Sequence, residues 1–177
     1  MSSLLTTLGL RASSSSSSPV PLPITNHAPA LLIFNFIFAY GLLSSRTLKQ
    51  YYGIDHNASP REDLTKYGPA AVRAGKITQK QLDTLKRNEA AHANAVENYA
   101  LLVAALGLAT AVGVKGEVVN RAGVVYTLAR AAYAVVYVTV ADDRWSQARG
   151  CCWWVGNGSC FWLLWRAWGV LALGGRV

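Results

Sequence analysis

VVNRAGVVYTLARAAYAVVYVTV, residues 118–140, is a 23-residue apolar run with Arg130 near its middle. A helix rises about 1.5 Å per residue, so roughly 20 apolar residues cross the hydrocarbon core of a bilayer. A charge at mid-helix costs roughly 2.5–3.5 kcal/mol on insertion scales, and such charges face a bundle interior and mark sites of function. Tyr133 and Tyr137 follow Arg130 by three and seven positions, which is one face of a helix. This pattern belongs to a candidate membrane enzyme rather than a simple anchor.

Three further segments complete the reading. Residues 29–45 (PALLIFNFIFAYGLLSS) form a short apolar run opened by Pro29, with Asn35 as its one strongly polar interior residue. Proline suits the first turn of a helix. Residues 99–114 are apolar and follow the polar, Ala-rich stretch 79–98. One long helix over 79–114, capped by Thr78, would stand partly outside the bilayer. Residues 147–173 carry five tryptophans at 153, 154, 162, 165 and 168, suited to interfacial anchoring. The expected fold is all-α, an integral membrane four-helix bundle over residues 28–177. Residues 1–27 contain six consecutive serines at 13–18 and prolines at 19, 21 and 23. That composition builds no core, and a disordered Ser/Pro-rich tail is expected. Residues 46–78 are polar and broken by Pro60, Gly68, Pro69 and Gly75, which reads as loop with short helical pieces.

The formal net charge is +8, from 17 Lys+Arg against 9 Asp+Glu. The bases flank apolar runs instead of forming one stripe, so they read as membrane flanks and not as a nucleic-acid surface. Lys49, Arg61, Lys66, Arg73, Lys76, Lys80 and Lys86 lie between the first two spans, and Arg144 and Arg149 between the last two. Only Lys115 and Arg121 lie at the middle turn. The first and third connections are therefore expected in the cytosol, with both termini on the other side. The sequon at Asn57 then faces the cytosol, the one at Asn157 lies inside a span, and neither is expected to carry glycan. Cys151, Cys152 and Cys160 show neither disulfide nor zinc spacing, and no metal is expected.

Polar groups cluster at helical spacing. Arg87, Asn94 and Glu97 share a face, His92 lies to one side, and Arg144 follows Tyr137 by seven. Internal pairing of Glu97 with Arg130 is the plain structural reading. It leaves Arg46, Arg87 and Arg144 in excess over nearby acids. Such an excess suits an anionic ligand with carboxylates, which arginine grips bidentately.

The stretch RNEAAHANAVEN, residues 87–98, resembles the second-helix signature of the MAPEG family, the membrane-associated proteins of eicosanoid and glutathione metabolism. Residues 123–144, with the pattern Arg-x2-Tyr-x3-Tyr-x6-Arg at Arg130, Tyr133, Tyr137 and Arg144, resemble its third helix. The resemblance spans about residues 28–173, with specific motifs in helices two and three. It implies a homotrimer of four-helix subunits binding glutathione between neighbours. By the same resemblance, Arg46, Arg87, His92, Asn94, Glu97, Arg130, Tyr133 and Tyr137 hold the peptide, and Arg144 stabilises its thiolate. The sequence departs from the family at Ala90, where many members carry Arg, at Asn98, and in the long 47–86 loop.

The expected function is a membrane-bound glutathione transferase, with glutathione-dependent peroxidase activity as a further possibility. It would use a lipophilic electrophile or lipid hydroperoxide from the bilayer and reside in the endoplasmic reticulum or the mitochondrial outer membrane. Two alternatives stand beside it: a non-catalytic lipid-binding or scaffold protein of the same fold, and a small transporter or channel subunit. The transporter reading lacks paired half-helices and repeats.

Overall fold

The computed structural model describes residues 9–10 and 24–174. Residues 1–8 and 11–23 of the expected tail therefore lie outside the described residues. Among the described residues the chain is helical and contains no strand. Helix α1 spans Ala28–Phe36 and continues as a π-helical turn, Ile37–Leu42. Two short helices follow, α2 (Arg46–Tyr51) and α3 (Gly68–Arg73), before the long α4 (Gln79–Ala111). Then come α5 (Gly116–Thr139), a single turn α6 (Asp143–Ser146), and α7 (Ala148–Ala172). The four expected spans are present within about three residues at each end.

Local chemistry sets these boundaries. Pro29 occupies the first turn of α1. Thr78 and Gln81 form a reciprocal capping box at the start of α4, with the Gln81 side-chain oxygen accepting from the Thr78 amide at 2.7 Å, satisfying two otherwise orphaned donors. Gly113, with φ +82°, closes α4 before the turn to α5.

Helix α4 has 33 residues, about 50 Å, or roughly 20 Å more than the hydrocarbon core. Roughly its first 13 residues must project. The segment between α1 and α4 folds around them as a cap, not an open loop. Ile54, Leu64, Ala71 and Ile77 pack on Leu82 and Leu85 of α4. A buried charge cluster pins the cap. Lys49 is 6% exposed and lies 3.6 Å from the fully buried Asp63 and 3.1 Å from Glu89. Ser45 donates to the Glu89 carboxylate, and His56 bonds Asp63 through its backbone and Nδ1. Short interrupted pieces carry no long hydrophobic period, so this cap is invisible to sequence patterning.

Within the membrane, α5 and α7 form the largest interface. The core joins Leu102, Leu106 and Ala109 of α4 to Val119 and Tyr126 of α5 and Leu163 and Ala167 of α7. Small residues bring the helices close: a Cβ on Gly123 would stand 2.5 Å from Leu31. Buried polar threads cross between helices. Asn98 donates to Asn157 at 2.7 Å and accepts from Tyr126 at 3.0 Å, while Asn35 donates to Thr127 at 2.8 Å. Asn157 is 2% exposed, so its sequon is out of reach of any modifying enzyme. Outward-facing Ile33, Leu128, Val135, Phe161 and Trp165 are exposed, as lipid contact requires.

Two helical stretches, Ala28–Tyr51 and Gly116–Thr139, are long and apolar enough to cross a membrane. Hydropathy passes over the other two for evident reasons: α4 begins with a polar extension, and α7 carries Arg, Asn and Trp. At the far end from the cap, buried Asn120 clamps the chain entering α1. Its carbonyl oxygen accepts from His27, and its amide donates to Thr25 and Gly9.

Candidate functional site

Arg130 is 3% exposed, on the face of α5 that meets α4 and α7. Gly156 of α7 makes room for it, with the Arg130 Cδ 3.5 Å from where a Cβ would be. Its Nη2 donates to Asn94 of α4 at 2.8 Å, and its Nη1 is buried without a hydrogen-bond partner. A buried guanidinium with an open donor is costly to keep. Beside it lies a cavity of about 10 Å³, lined by Asn35, Tyr99, Tyr126 and Arg130, large enough for one water.

From Arg130 a ladder of rings and cations runs toward the C-terminal end of α5. The Arg130 guanidinium lies 4.5 Å from the Tyr133 ring, and Tyr133 is 5.4 Å from Tyr137. The next cation is Arg149 of α7, 4.4 Å from the Tyr137 ring. Each cation over a ring contributes roughly 0.5–2 kcal/mol. The Arg-x2-Tyr-x3-Tyr spacing makes most of this ladder legible, because it puts three side chains on one helix face. In the sequence Arg149 reads only as a topological charge. It lies beyond a break in the helix, so periodicity gives no signal for it.

The other expected site residues are distributed as follows. Asn94 joins Arg130 directly. Glu97 lies exposed on the surface of the bundle, within electrostatic range of Tyr133. The plain Glu97–Arg130 pair is not formed within the chain, because Asn94 takes the inward position and Glu97 is turned about 60° outward from it. Arg87 ties α4 to the end of α5, donating from Nε to the Val138 carbonyl at 3.1 Å and from Nη2 to Thr84. His92 faces α1, its Nδ1 2.8 Å from the Ala39 carbonyl. Arg46 turns into the cap, toward Asp55 at 3.7 Å and Asn57, with its side chain 62% exposed. Arg144 stands on α6, exposed, with no side-chain hydrogen bond or ion pair among the described residues. The Asp142 carboxylate does not compete for it in this arrangement, since it caps α6 by accepting from the Arg144 and Trp145 amides.

The ladder thus lines up guanidinium groups and ring edges along one face of α5, between α4 and the start of α7. The described residues contain no cluster of three metal-ligating side chains. Cys160 is buried among apolar residues, and Cys151 and Cys152 are free thiols at the start of α7.

The sequence model of the MAPEG family matches residues 27–169, which takes in the first three spans, most of the fourth, the cap and the whole ladder. No curated protein and no solved structure matches the chain. Four helices, the motifs on α4 and α5, and a match over most of the length lead to one conclusion: the chain belongs to the MAPEG family, and its fold is a membrane helical bundle.

Proposed function

We propose that the protein is a membrane-bound glutathione transferase that stabilises the glutathione thiolate for attack on lipophilic electrophiles. The observation that carries this reading is the buried Arg130, whose Nη1 has no hydrogen-bond partner among the described residues and whose Nη2 and ring neighbours line one face. Carboxylate oxygens are the acceptors that suit such a fork. Asn94, Tyr133 and Tyr137 supply further polar edges along the same line, and Glu97 supplies an acid for an ammonium group.

Arg144 is the cation proposed for the thiolate, being exposed at the mouth and unengaged among the described residues. A free thiol has a pKa near 8.5 and is mostly protonated at neutral pH. Lowering it by two units requires about 2.7 kcal/mol, and one charge-assisted hydrogen bond supplies roughly 1.5–3 kcal/mol. The proton leaves to water at the cytosolic mouth. The sulfur then forms its bond to the electrophilic carbon as the leaving group departs with its electron pair.

Assembly as a homotrimer is part of this reading. Ala93, Glu97, Ala100, Ala104, Gly107 and Ala111 share an exposed face of α4. Gly107 has nothing within 4 Å of an added Cβ. A small-residue face lets helices pack closely in lipid, and a second copy there would cover Glu97, which is costly to leave against acyl chains. Residence in the endoplasmic reticulum belongs to the same proposal.

One observation speaks for a second reading, a non-catalytic binding protein of the same fold: the Arg144 side chain makes no hydrogen bond or ion pair with the ladder among the described residues. The test is retention of detergent-solubilised protein on immobilised glutathione, followed by turnover with a panel of electrophiles and lipid hydroperoxides. Retention with turnover supports the transferase. Retention without turnover supports the binding protein, and no retention contradicts both.

A further inference from the structure

The cap holds a cavity of its own, of about 220 Å³, which shares no residue with the ladder. Buried Ile54 and Ala71 form part of its wall. The same two residues belong to the cluster that packs on Leu82 and Leu85, in the part of α4 that projects beyond the hydrocarbon. The cavity is therefore filled from water and not from the bilayer.

Size, shape and charge each narrow the occupant. An apolar cavity of about 150 Å³ takes one benzene, so about 220 Å³ takes one ring with small substituents. The His56 imidazole is stacked on the Tyr67 ring, with centroids 3.6 Å apart and planes within 18°, and both line the cavity. Flat π surfaces favour an aromatic ring over a branched aliphatic body. His56 Nδ1 lies 3.0 Å from the Ile54 carbonyl and 3.2 Å from the Asp63 carboxylate. Both partners are acceptors, so Nδ1 carries the proton, and Nε2 of the neutral ring keeps a lone pair for a donor. Lys76 also lines the cavity, and its side chain has no hydrogen bond or ion pair among the described residues. No acid lines the cavity among the described residues, and the Asp63 carboxylate behind His56 is met by Lys49. The cavity thus favours an anion over an amine.

We propose that this cavity is a second ligand site, which takes a water-borne monocyclic aromatic hydroxy-carboxylate. The ring lies against His56 and Tyr67, the hydroxyl donates to His56 Nε2, and the carboxylate meets Lys76. From His56 the contacts continue through Asp63 and Lys49 to Glu89 on α4, so the bound ligand holds the cap closed on the projecting helix.

The probe is 4-hydroxybenzoate, titrated by calorimetry into the full-length protein in nanodiscs without glutathione. Wild type should bind it with a Kd below about 1 mM. Benzoate, which lacks the hydroxyl, should bind about 3- to 10-fold more weakly, the worth of one neutral hydrogen bond. Lys76→Met should weaken 4-hydroxybenzoate about 2- to 5-fold, as an exposed charge pair allows, and leave its uncharged methyl ester unaffected. Ala74→Phe, at an exposed position on the cavity wall, should fill the space and abolish binding. Limited proteolysis of residues 52–78 gives a second readout. Ligand at about ten times its Kd should slow cleavage about 10-fold in wild type and have no effect in Ala74→Phe. Equal losses for acid and ester in Lys76→Met, or wild-type affinity in Ala74→Phe, would overturn the proposal. A wild-type Kd above about 1 mM, or binding without protection of the cap, would overturn it as well. Each of these outcomes leaves the glutathione reading untouched, because the two sites share no residue.

Discussion

Arg130 shows how one residue decides between structural and functional accounts. It is 3% exposed, bonded to Asn94 through Nη2, and unsatisfied at Nη1. A residue kept for stability would have its donors met. The expected behaviour of Arg130→Met is therefore a split: unchanged or higher thermal stability, with loss of roughly 10- to 150-fold in glutathione affinity. Thermal scanning and calorimetry on the same preparation check it. A variant that fails to assemble yet retains affinity would reverse the assignment. The sequence made Arg130, Tyr133 and Tyr137 legible because helical spacing is a strong signal. It did not reveal that Asn94, not Glu97, meets Arg130, since that depends on the rotation of α4 against α5. Nor did it reveal that Arg46 turns into the cap.

Among the elements, the cap departs most from what the sequence suggested. Its pieces are six residues or fewer, too short for periodicity to register, and its order comes from tertiary contacts with the projecting part of α4. Glu89 is the α4 side of that attachment. Partial burial disfavours its charge, but the hydrogen bonds from Ser45 and Lys49, the Lys49 charge and the nearby His92 outweigh that and hold its carboxyl below the usual range. Asp63, with His56 against it, faces the same Lys49. A lowered folded pKa stabilises the cap fully above the unfolded value, near 4.3, and that stability is lost as pH falls through the lowered folded value. Limited proteolysis of residues 52–78 as a function of pH should show the cap protected at neutral pH and opening in acid. Glu89→Gln should remove that component and raise cleavage at neutral pH. A Glu89→Gln protein with the wild-type pH profile would show that this carboxylate does not hold the cap. The spans, by contrast, were legible almost to the residue, because bilayer thickness fixes the length of apolar helix required.

At the scale of the whole molecule, the membrane bundle follows from the family match and the spans, while assembly and chemistry remain proposals with separate tests. Ala104 lies at the centre of the exposed small-residue face of α4. Ala104→Phe should reduce a trimer to smaller species in native mass spectrometry, with helix content unchanged, whereas an unaltered trimer would move the interface elsewhere. The chemical claim is tested most directly by the thiolate absorbance of bound glutathione, titrated against pH in wild type and Arg144→Ala. The expected midpoint in the wild type is about two units below the free thiol value of 8.5, returning toward it in the variant. A wild-type midpoint at the free value, or the same lowered midpoint in both proteins, would contradict thiolate stabilisation by Arg144.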